Sequence, residues 1–181
     1  NDFEFRGFSI YTLPEMSGDV ELVISAKDIE EDQTLTIAAI DEPITVKITN
    51  ASAKVGQKNQ TGGKIIISEN GRGKINKGFI KIRIAGEEYI NFKNEPRVEV
   101  IEGDLEVKNM GWEDSDENIL MIKVTSTSKE ASAIEISGFK FSVDDMAPDG
   151  KFSVFLSGNA IAPETRDKEV EYKGFITTSL T

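Results

Sequence analysis

The sequence predicts an all-β protein, specifically an antiparallel β-sandwich of the jelly-roll or immunoglobulin-like kind. Three observations support this: short segments alternate apolar and polar residues, glycine-containing turns separate them, and helical periodicity of useful length is absent. Alternation with a period of two places apolar side chains on one face of a strand and polar side chains on the other. This is the pattern of antiparallel sheets with one face in water.

Nine segments carry this alternation and are predicted as strands. In chain order they are residues 34–38, 44–48, 79–84, 97–101, 105–107, 119–124, 134–136, 139–143 and 152–156. Turn residues lie between them at 17–19, 61–63, 70–73, 102–104 and 148–150. The glycine-rich loop 70–73 lacks the Gly-Lys-Ser/Thr ending of a phosphate-binding loop, so we interpret it as a hairpin turn.

Composition excludes several kinds of function. The 181 residues include no cysteine and no histidine, which removes disulfides, zinc-thiolate sites and the commonest general base. We therefore expect no enzyme activity. Twenty-one basic residues against 32 acidic ones give a formal net charge of −11, so nucleic acid and anionic membrane surfaces are not expected partners.

Length and the ends of the chain bear on its organisation and location. We expect one domain over residues 1–181, because a chain of this size buries roughly 70% of its unfolded surface. No apolar run approaches the roughly 20 residues that span a bilayer, so membrane insertion is not expected. The first residue is Asn1 rather than methionine, which either trimming of the chain or removal of a signal peptide would explain. The composition, rich in Thr, Ser, Ile and Val and without thiols, fits the second explanation. We therefore expect a secreted protein that is extracellular or attached to the cell surface.

The order of segments from residue 46 to residue 162 resembles the β-rich extracellular region of Gram-positive (Firmicute) surface proteins. In those proteins it often lies upstream of a small domain named after the N-terminal domain of copper amine oxidase. The resemblance implies export and a wall-associated or polymeric role, and it implies no catalytic residue. Copper chemistry is not carried over, since it requires histidines. The segments that carry the resemblance are 43–48, 53–60, 64–69, 73–80, 96–100, 103–107, 133–138 and 147–150.

Acidic clusters are candidate calcium sites, because Ca²⁺ is a hard cation that takes six to eight oxygen ligands. None has the spacing of an EF-hand loop, and charge runs of this kind are more often merely solvated turns in an acidic protein. A calcium-dependent adhesion domain is accordingly a third functional hypothesis. The candidate ligands are Asp114, Asp116 and Glu117 in one cluster and Asp144, Asp145 and Asp149 in another, with residues 28–32 as a third acidic run.

Aromatic residues are the candidates for a sugar-binding platform, because planar rings stack on pyranose faces. Trp112 is the single tryptophan, and Tyr89 and Phe92 are close to each other in sequence. Carbohydrate modules usually present several exposed rings on one face, so we interpret these residues as packing residues.

The N-terminal residues 1–11 form an unusually apolar terminal β-segment, with Phe3, Phe5, Phe8 and Ile10. Gly7 allows a bulge that would bring the two apolar pairs onto one side. The segment either docks in its own sandwich or is donated to a neighbouring molecule by strand addition. Head-to-tail donation does not close on itself and generates an open filament.

The leading functional hypothesis is therefore an extracellular structural subunit that forms a cell-surface filament or layer by β-strand exchange between copies of itself. The alternative is a non-catalytic surface module that binds cell-wall or plant polysaccharide. Sedimentation separates the two, because a homopolymer sediments as a fibre and a binding module as a monomer.

Overall fold

The computed structural model describes residues 17–25, 31–113, 118–161 and 169–180, and every regular element in these ranges is a β-strand. The prediction of an all-β fold is confirmed. The strands are β1 (Gly18–Ile24), β2 (Gln33–Ile40), β3 (Ile44–Thr49), β4 (Ala51–Lys54), β5 (Gln60–Thr61), β6 (Lys64–Glu69), β7 (Gly78–Ile84), β8 (Ile90–Phe92), β9 (Arg97–Glu102), β10 (Val107–Trp112), β11 (Ile119–Val124), β12 (Ala133–Ser137), β13 (Lys140–Val143), β14 (Gly150–Ser157) and β15 (Val170–Ser179).

Two sheets enclose the hydrophobic core, which confirms the predicted β-sandwich. One has six strands in the order β10-β11-β7-β14-β15-β4, and the other has four in the order β3-β6-β12-β9. Neighbouring strands are antiparallel except β15 and β4, which run parallel. Alternate residues of the central strands point inward because the side-chain period is two. Fully buried examples from the two sheets are Ile65, Ile67, Ile80, Ile82, Leu120, Ile122, Ile134 and Ile136.

The four-stranded sheet bends and continues as a three-stranded sheet. The order in the latter is β5-β13-β8, and each of these strands lies next in sequence to β6, β12 or β9 respectively. Glycines occupy the bend because the backbones approach closely there. A Cβ on Gly63 would lie 1.7 Å from the Thr49 carbonyl oxygen, and a Cβ on Gly62 would lie 2.5 Å from Phe139 Cβ. Only glycine fits such contacts without displacing backbone.

The chain crosses between the two sheets at both edges of the sandwich. β3 leads into β4 at one edge, and β9 leads into β10 at the other. We call the second edge the β9–β10 seam. At one end it is bridged by side chains: Asn109 Nδ2 donates to the Pro96 carbonyl at 2.8 Å, and Trp112 Nε1 donates to the Asn94 carbonyl at 2.9 Å. The remainder of the seam consists of two edge strands.

A buried carboxylate at the end of β6 fixes the neighbouring loops. Glu69 is 6% exposed. Its Oε1 accepts from the Ile75 amide at 2.7 Å, and its Oε2 accepts from the Ser132 amide at 2.9 Å and the Ser128 hydroxyl at 2.6 Å. Ser128 Oγ in turn accepts from the Gly73 amide at 2.7 Å. One side chain therefore ties both the β6–β7 loop and the β11–β12 loop to the sandwich.

The interpretation of residues 70–73 as a hairpin turn is wrong. β6 belongs to the four-stranded sheet and β7 to the six-stranded sheet, so the loop crosses the sandwich instead of joining paired strands. Its glycines serve this crossing, and Gly73 has a φ of +69°, which favours glycine.

Replacing Glu69 by alanine should destabilise the protein strongly. The change leaves the Ile75 and Ser132 amides and the Ser128 hydroxyl without their acceptor in a buried position. We expect the free energy of unfolding to fall by about 3 kcal/mol or more. Urea denaturation measures this, with Glu88→Ala, which removes an exposed carboxylate, as the control that should stay within about 0.5 kcal/mol of the parent. Equal stability of the two variants would contradict the role assigned to Glu69.

Candidate functional site

Strands β1 and β2 form a hairpin that stands apart from the sandwich. They pair antiparallel with each other in a two-stranded sheet of their own. Within the described ranges, neither β1 nor β2 is hydrogen-bonded to, or packed along, any strand of the sandwich. A two-stranded hairpin is marginally stable in water at best, and it normally needs a third strand or a packing surface. The hairpin is therefore the element whose structure calls for a partner.

Register divides the hairpin into two different faces. Val20 lies opposite Ala38 and Glu21 lies opposite Thr36, so Ile37 is the extra residue of a β-bulge. The bulge changes the phase of β2 and brings its apolar residues to the same side as those of β1. The resulting apolar hairpin face consists of Val20, Leu22, Ile24, Leu35, Ala38 and Ile40, and the opposite face carries Asp19, Glu21, Val23, Thr34 and Thr36.

The apolar hairpin face is only partly covered. Five of its six members are intermediate in exposure, none is buried, and Leu35 is 52% exposed. The bulge residue Ile37 is 44% exposed as well. By contrast, the inward-facing isoleucines of β6 and β7 are fully buried. Contiguous exposed apolar side chains mark interaction surfaces, whereas isolated ones are ordinary.

The root of the hairpin is fixed to the sandwich by Asn70. Its amide N–H donates to the Pro43 carbonyl at 3.0 Å, and its Nδ2 donates to the Glu42 carbonyl at 2.9 Å. The Thr45 hydroxyl donates to Asn70 Oδ1 at 2.8 Å. Because Asn70 follows the buried Glu69 directly, the point from which the hairpin extends is held firmly while its faces remain accessible.

The hairpin region is uniformly acidic. Its described residues, 17–25 and 31–42, contain six carboxylates and no lysine or arginine. The charge of this surface is therefore negative wherever it docks, and a cationic acceptor would complement it. The six are Asp19, Glu21, Glu31, Asp32, Asp41 and Glu42.

The N-terminal candidates, Phe3, Phe5, Phe8 and Ile10, lie outside the described residues and stay a prediction. Sequence reasoning missed β1 and did not connect β2 with it, although residues 20–24 and 34–37 both alternate. That alternation was the available signal. It shows that one face is apolar, and it does not show whether that face is covered.

Among the predicted calcium ligands, Asp114, Asp116 and Glu117 lie outside the described residues. Asp144, Asp145 and Asp149 are exposed, and two of them bind nearby backbone amides. Asp144 Oδ1 accepts from the Met146 amide at 2.9 Å, and Asp149 Oδ1 accepts from the Leu180 amide at 2.5 Å. In the ranges that the structure covers, no three acidic side chains are grouped so that they could hold a metal ion. The calcium site stays a prediction without support from this turn.

The tryptophan is used in packing. The ring of Trp112 stacks on Phe92 with centroids 4.7 Å apart, and its Nε1 bonds to the Asn94 carbonyl. This confirms the interpretation of both residues as packing residues. Tyr89 instead borders a surface cleft of about 380 Å³. The cleft also includes Lys58, Glu87, Asp145 and Ser142, whose Oγ is buried without a hydrogen-bond partner.

No protein-family model matches this chain, and no curated protein matches it. Solved structures with a similar fold include a cohesin module of a family 33 glycoside hydrolase from Clostridium perfringens, 7% identical, with a TM-score of 0.38 over 75% of this chain and 96% of that chain. Another is BcpA, the major pilin subunit of Bacillus cereus, 12% identical, with a TM-score of 0.42 over 88% of this chain. This chain spans about half of BcpA, 48% of its length.

A third solved structure comprises domains 4 and 5 of the S-layer protein SbsC, 15% identical, with a TM-score of 0.29 over 90% of this chain and 66% of that chain. The association with copper-amine-oxidase-like domains finds no matching family model and stays a prediction. A helix that could cross a membrane is absent from the described ranges.

Backbone amides of the hairpin should exchange with solvent much faster than those of the sandwich. In dilute solution, we expect the Leu35 and Ala38 amides to exchange at least ~100-fold faster than the Ile134 and Ile136 amides, because β12 is paired on both sides and β2 on one. Residue-resolved hydrogen exchange measures this. Equal protection of the two strands would mean that the hairpin is already covered in the monomer.

Proposed function

We propose that this chain is a non-catalytic extracellular structural subunit that assembles with copies of itself into a surface filament or layer. Assembly occurs by adding the β1–β2 hairpin of one copy to an open sheet edge of the next. The observation that carries the proposal is the apolar hairpin face, which is only partly covered and on which Leu35 is exposed. It supports a role in assembly because a fixed root and an unpartnered apolar face are what a donated element requires.

Strand addition supplies what the hairpin lacks. Joining a third strand converts the marginal two-stranded ribbon into a sheet, and covering Leu22 and Leu35 removes two large side chains from water. Each such side chain contributes roughly 1.5–3 kcal/mol when it is fully buried. Backbone hydrogen bonds along the new pair contribute further. These gains favour association at the high local concentration of a cell surface.

Residues 1–11 belong to the same proposal as an extension of the donor. Six residues, 12–17, separate the segment from β1, and its phenylalanines would lengthen the apolar surface that a neighbour covers. We place the whole chain, residues 1–181, in one subunit. The extracellular location is supported by the absence of thiols and histidines in a chain rich in Thr, Ser, Ile and Val.

Binding of cell-wall or plant polysaccharide is the second candidate function. The observation that favours it is the surface cleft beside Tyr89, which is also lined by the polar side chains of Lys58, Glu87 and Asn91. The stacked Trp112 offers no free platform. If the chain stays monomeric and is retained on insoluble wall glycan, polysaccharide binding is favoured over assembly.

Removing the apolar character of the hairpin should prevent assembly and leave the sandwich folded. We expect Leu22→Ser combined with Leu35→Ser to sediment as a monomer at concentrations at which the parent sediments as a polymer. The melting temperature of the sandwich should be unchanged, because these side chains lie outside the buried core. Analytical ultracentrifugation and thermal melting measure the two properties.

Val23→Ser is the matched control, because Val23 is 54% exposed on the opposite face of the same strand. It should polymerise like the parent. A parent that remains monomeric at high concentration would refute the proposed function, and a polymerising Leu22→Ser and Leu35→Ser double variant would show that the hairpin is not the donor.

A further inference from the structure

We propose that the acceptor for the hairpin is the β9–β10 seam of a second copy, where Lys108 and Lys123 bind the carboxylates of the hairpin. This inference rests on the proposed function and adds to it the site and the charge pattern of the contact. It is carried by three observations: an open apolar edge, an unneutralised pair of lysines and the positions of donor and acceptor in the fold.

The seam exposes apolar side chains at unpaired strand edges. Among the described strands, β9 pairs with β12 alone and β10 with β11 alone, so each presents one edge that no described strand pairs with. Ile101 at the end of β9 is 51% exposed, and Met110 in β10 is 48% exposed. Met110 lies at a β-bulge, because Asn109 and Gly111 pair with successive residues of β11. Open edges with exposed apolar side chains are sites at which a further strand adds.

Two lysines next to this edge lack a counter-charge. Lys108 and Lys123 lie directly opposite each other on β10 and β11, and both are exposed. Neither forms an ion pair with a carboxylate in the part of the chain that the structure describes; the Lys123 ammonium lies 6.0 Å from the centroid of the Phe79 ring. Like charges directly opposite each other destabilise a strand pair. An anionic partner would remove this cost.

What sets this pair apart is that the two lysines lie directly opposite each other across a strand pair. Among the other lysines on described strands, Lys64 and Lys81 face a carboxylate, and those that stand opposite an uncharged residue are Lys47, Lys54, Lys140 and Lys151. Lys64 Nζ lies 2.8 Å from Glu135 on the neighbouring strand, and the hydrogen bond holds the pKa of that carboxyl below its usual range. Lys81 Nζ lies 3.2 Å from Glu113. In a protein with a net charge of −11, two adjacent uncompensated cations form a distinctive site for an anionic surface.

The hairpin matches this edge on both faces. On β10, Lys108 points outward, whereas Val107 points towards the core side with its partner Val124. A strand added beside β10 must therefore present carboxylates outward and apolar groups inward. β1 does so, with Asp19 and Glu21 on the face opposite its apolar residues. Opposite charges across neighbouring strands stabilise a pair by roughly 0.2–1 kcal/mol, and they set register and specificity.

Donor and acceptor lie at opposite edges of the sandwich. The hairpin leads into β3, which is one edge of the four-stranded sheet, and the seam begins at β9, the other edge. Three strand spacings separate these edges, about 14 Å. A contact between two different surfaces is heterologous, and it propagates from copy to copy into an open chain. A second copy therefore fits this site, and the repeat produces a filament.

Charge reversal tests the acceptor in the full chain. We expect Lys108→Glu combined with Lys123→Glu to raise the concentration needed for assembly at least tenfold, with a melting curve like that of the parent. Lys47→Glu combined with Lys54→Glu, which reverses exposed lysines of β3 and β4 at the other edge, should assemble like the parent. An equal defect in both double variants would overturn the assignment to the β9–β10 seam.

A complementary mixture distinguishes this contact from a general effect of charge. Asp19→Lys combined with Glu21→Lys should assemble poorly alone, and an equimolar mixture with the Lys108→Glu and Lys123→Glu variant should restore assembly. If the acceptor variant assembles like the parent while the Leu22→Ser and Leu35→Ser variant does not, the acceptor is wrong and the proposed function stands. A monomeric parent refutes the proposed function itself. Failure of the mixture, with both components folded, overturns the pairing of these charges.

Discussion

The hydrogen bonds of the Glu69 carboxylate organise one end of this molecule. A buried carboxylate is costly unless donors surround it, and here two backbone amides and one hydroxyl do so. Because those donors belong to two loops that cross or flank the sandwich, satisfying one charge also fixes both loops. The next residue, Asn70, fixes the root of the hairpin. Two adjacent polar residues thus connect the closed core to the element that reaches out of it.

The core and the hairpin differ in how much of their apolar surface is covered. The sandwich buries the inward-facing isoleucines of its central strands completely, whereas the hairpin keeps its apolar face partly accessible on a fixed root. Edge strands with free backbone groups are usually protected against further pairing. Here the β9–β10 seam combines a free edge with a pair of uncompensated lysines, and the hairpin combines an apolar face with carboxylates. Attraction between unlike surfaces at opposite edges favours open polymers over closed dimers.

Much of the sandwich could be predicted from local alternation. The segment 119–124 coincides with β11, those at 44–48 and 79–84 differ from their strands by one residue at one end, and that at 134–136 is one residue shorter than β12 at each end. Alternation predicts a strand, and it does not say which strand pairs with it. For this reason the loop at 70–73 was interpreted as a hairpin, and the parallel pairing of β15 with β4 was not foreseen. The bend at Gly62 and Gly63 depends on contacts with distant backbone, which local sequence does not contain.

The candidate site was less predictable for a physical reason. Val20, Leu22 and Ile24 alternate in the same way as the buried residues of β6, and only the three-dimensional structure distinguishes a covered face from an exposed one. Likewise, Lys108 and Lys123 are 15 residues apart, and register alone brings them together. Aromatic density drew attention to residues 3–10, whereas the described strands of the donor, β1 and β2, begin at Gly18 and contain no aromatic residue.

Electron microscopy of the purified full-length chain, negatively stained after incubation at high concentration, tests the central claim most directly. The account predicts unbranched filaments with a repeat of one subunit, because each copy has one donor and one acceptor on different surfaces. A uniform field of single particles, or of closed two-fold dimers, would contradict it.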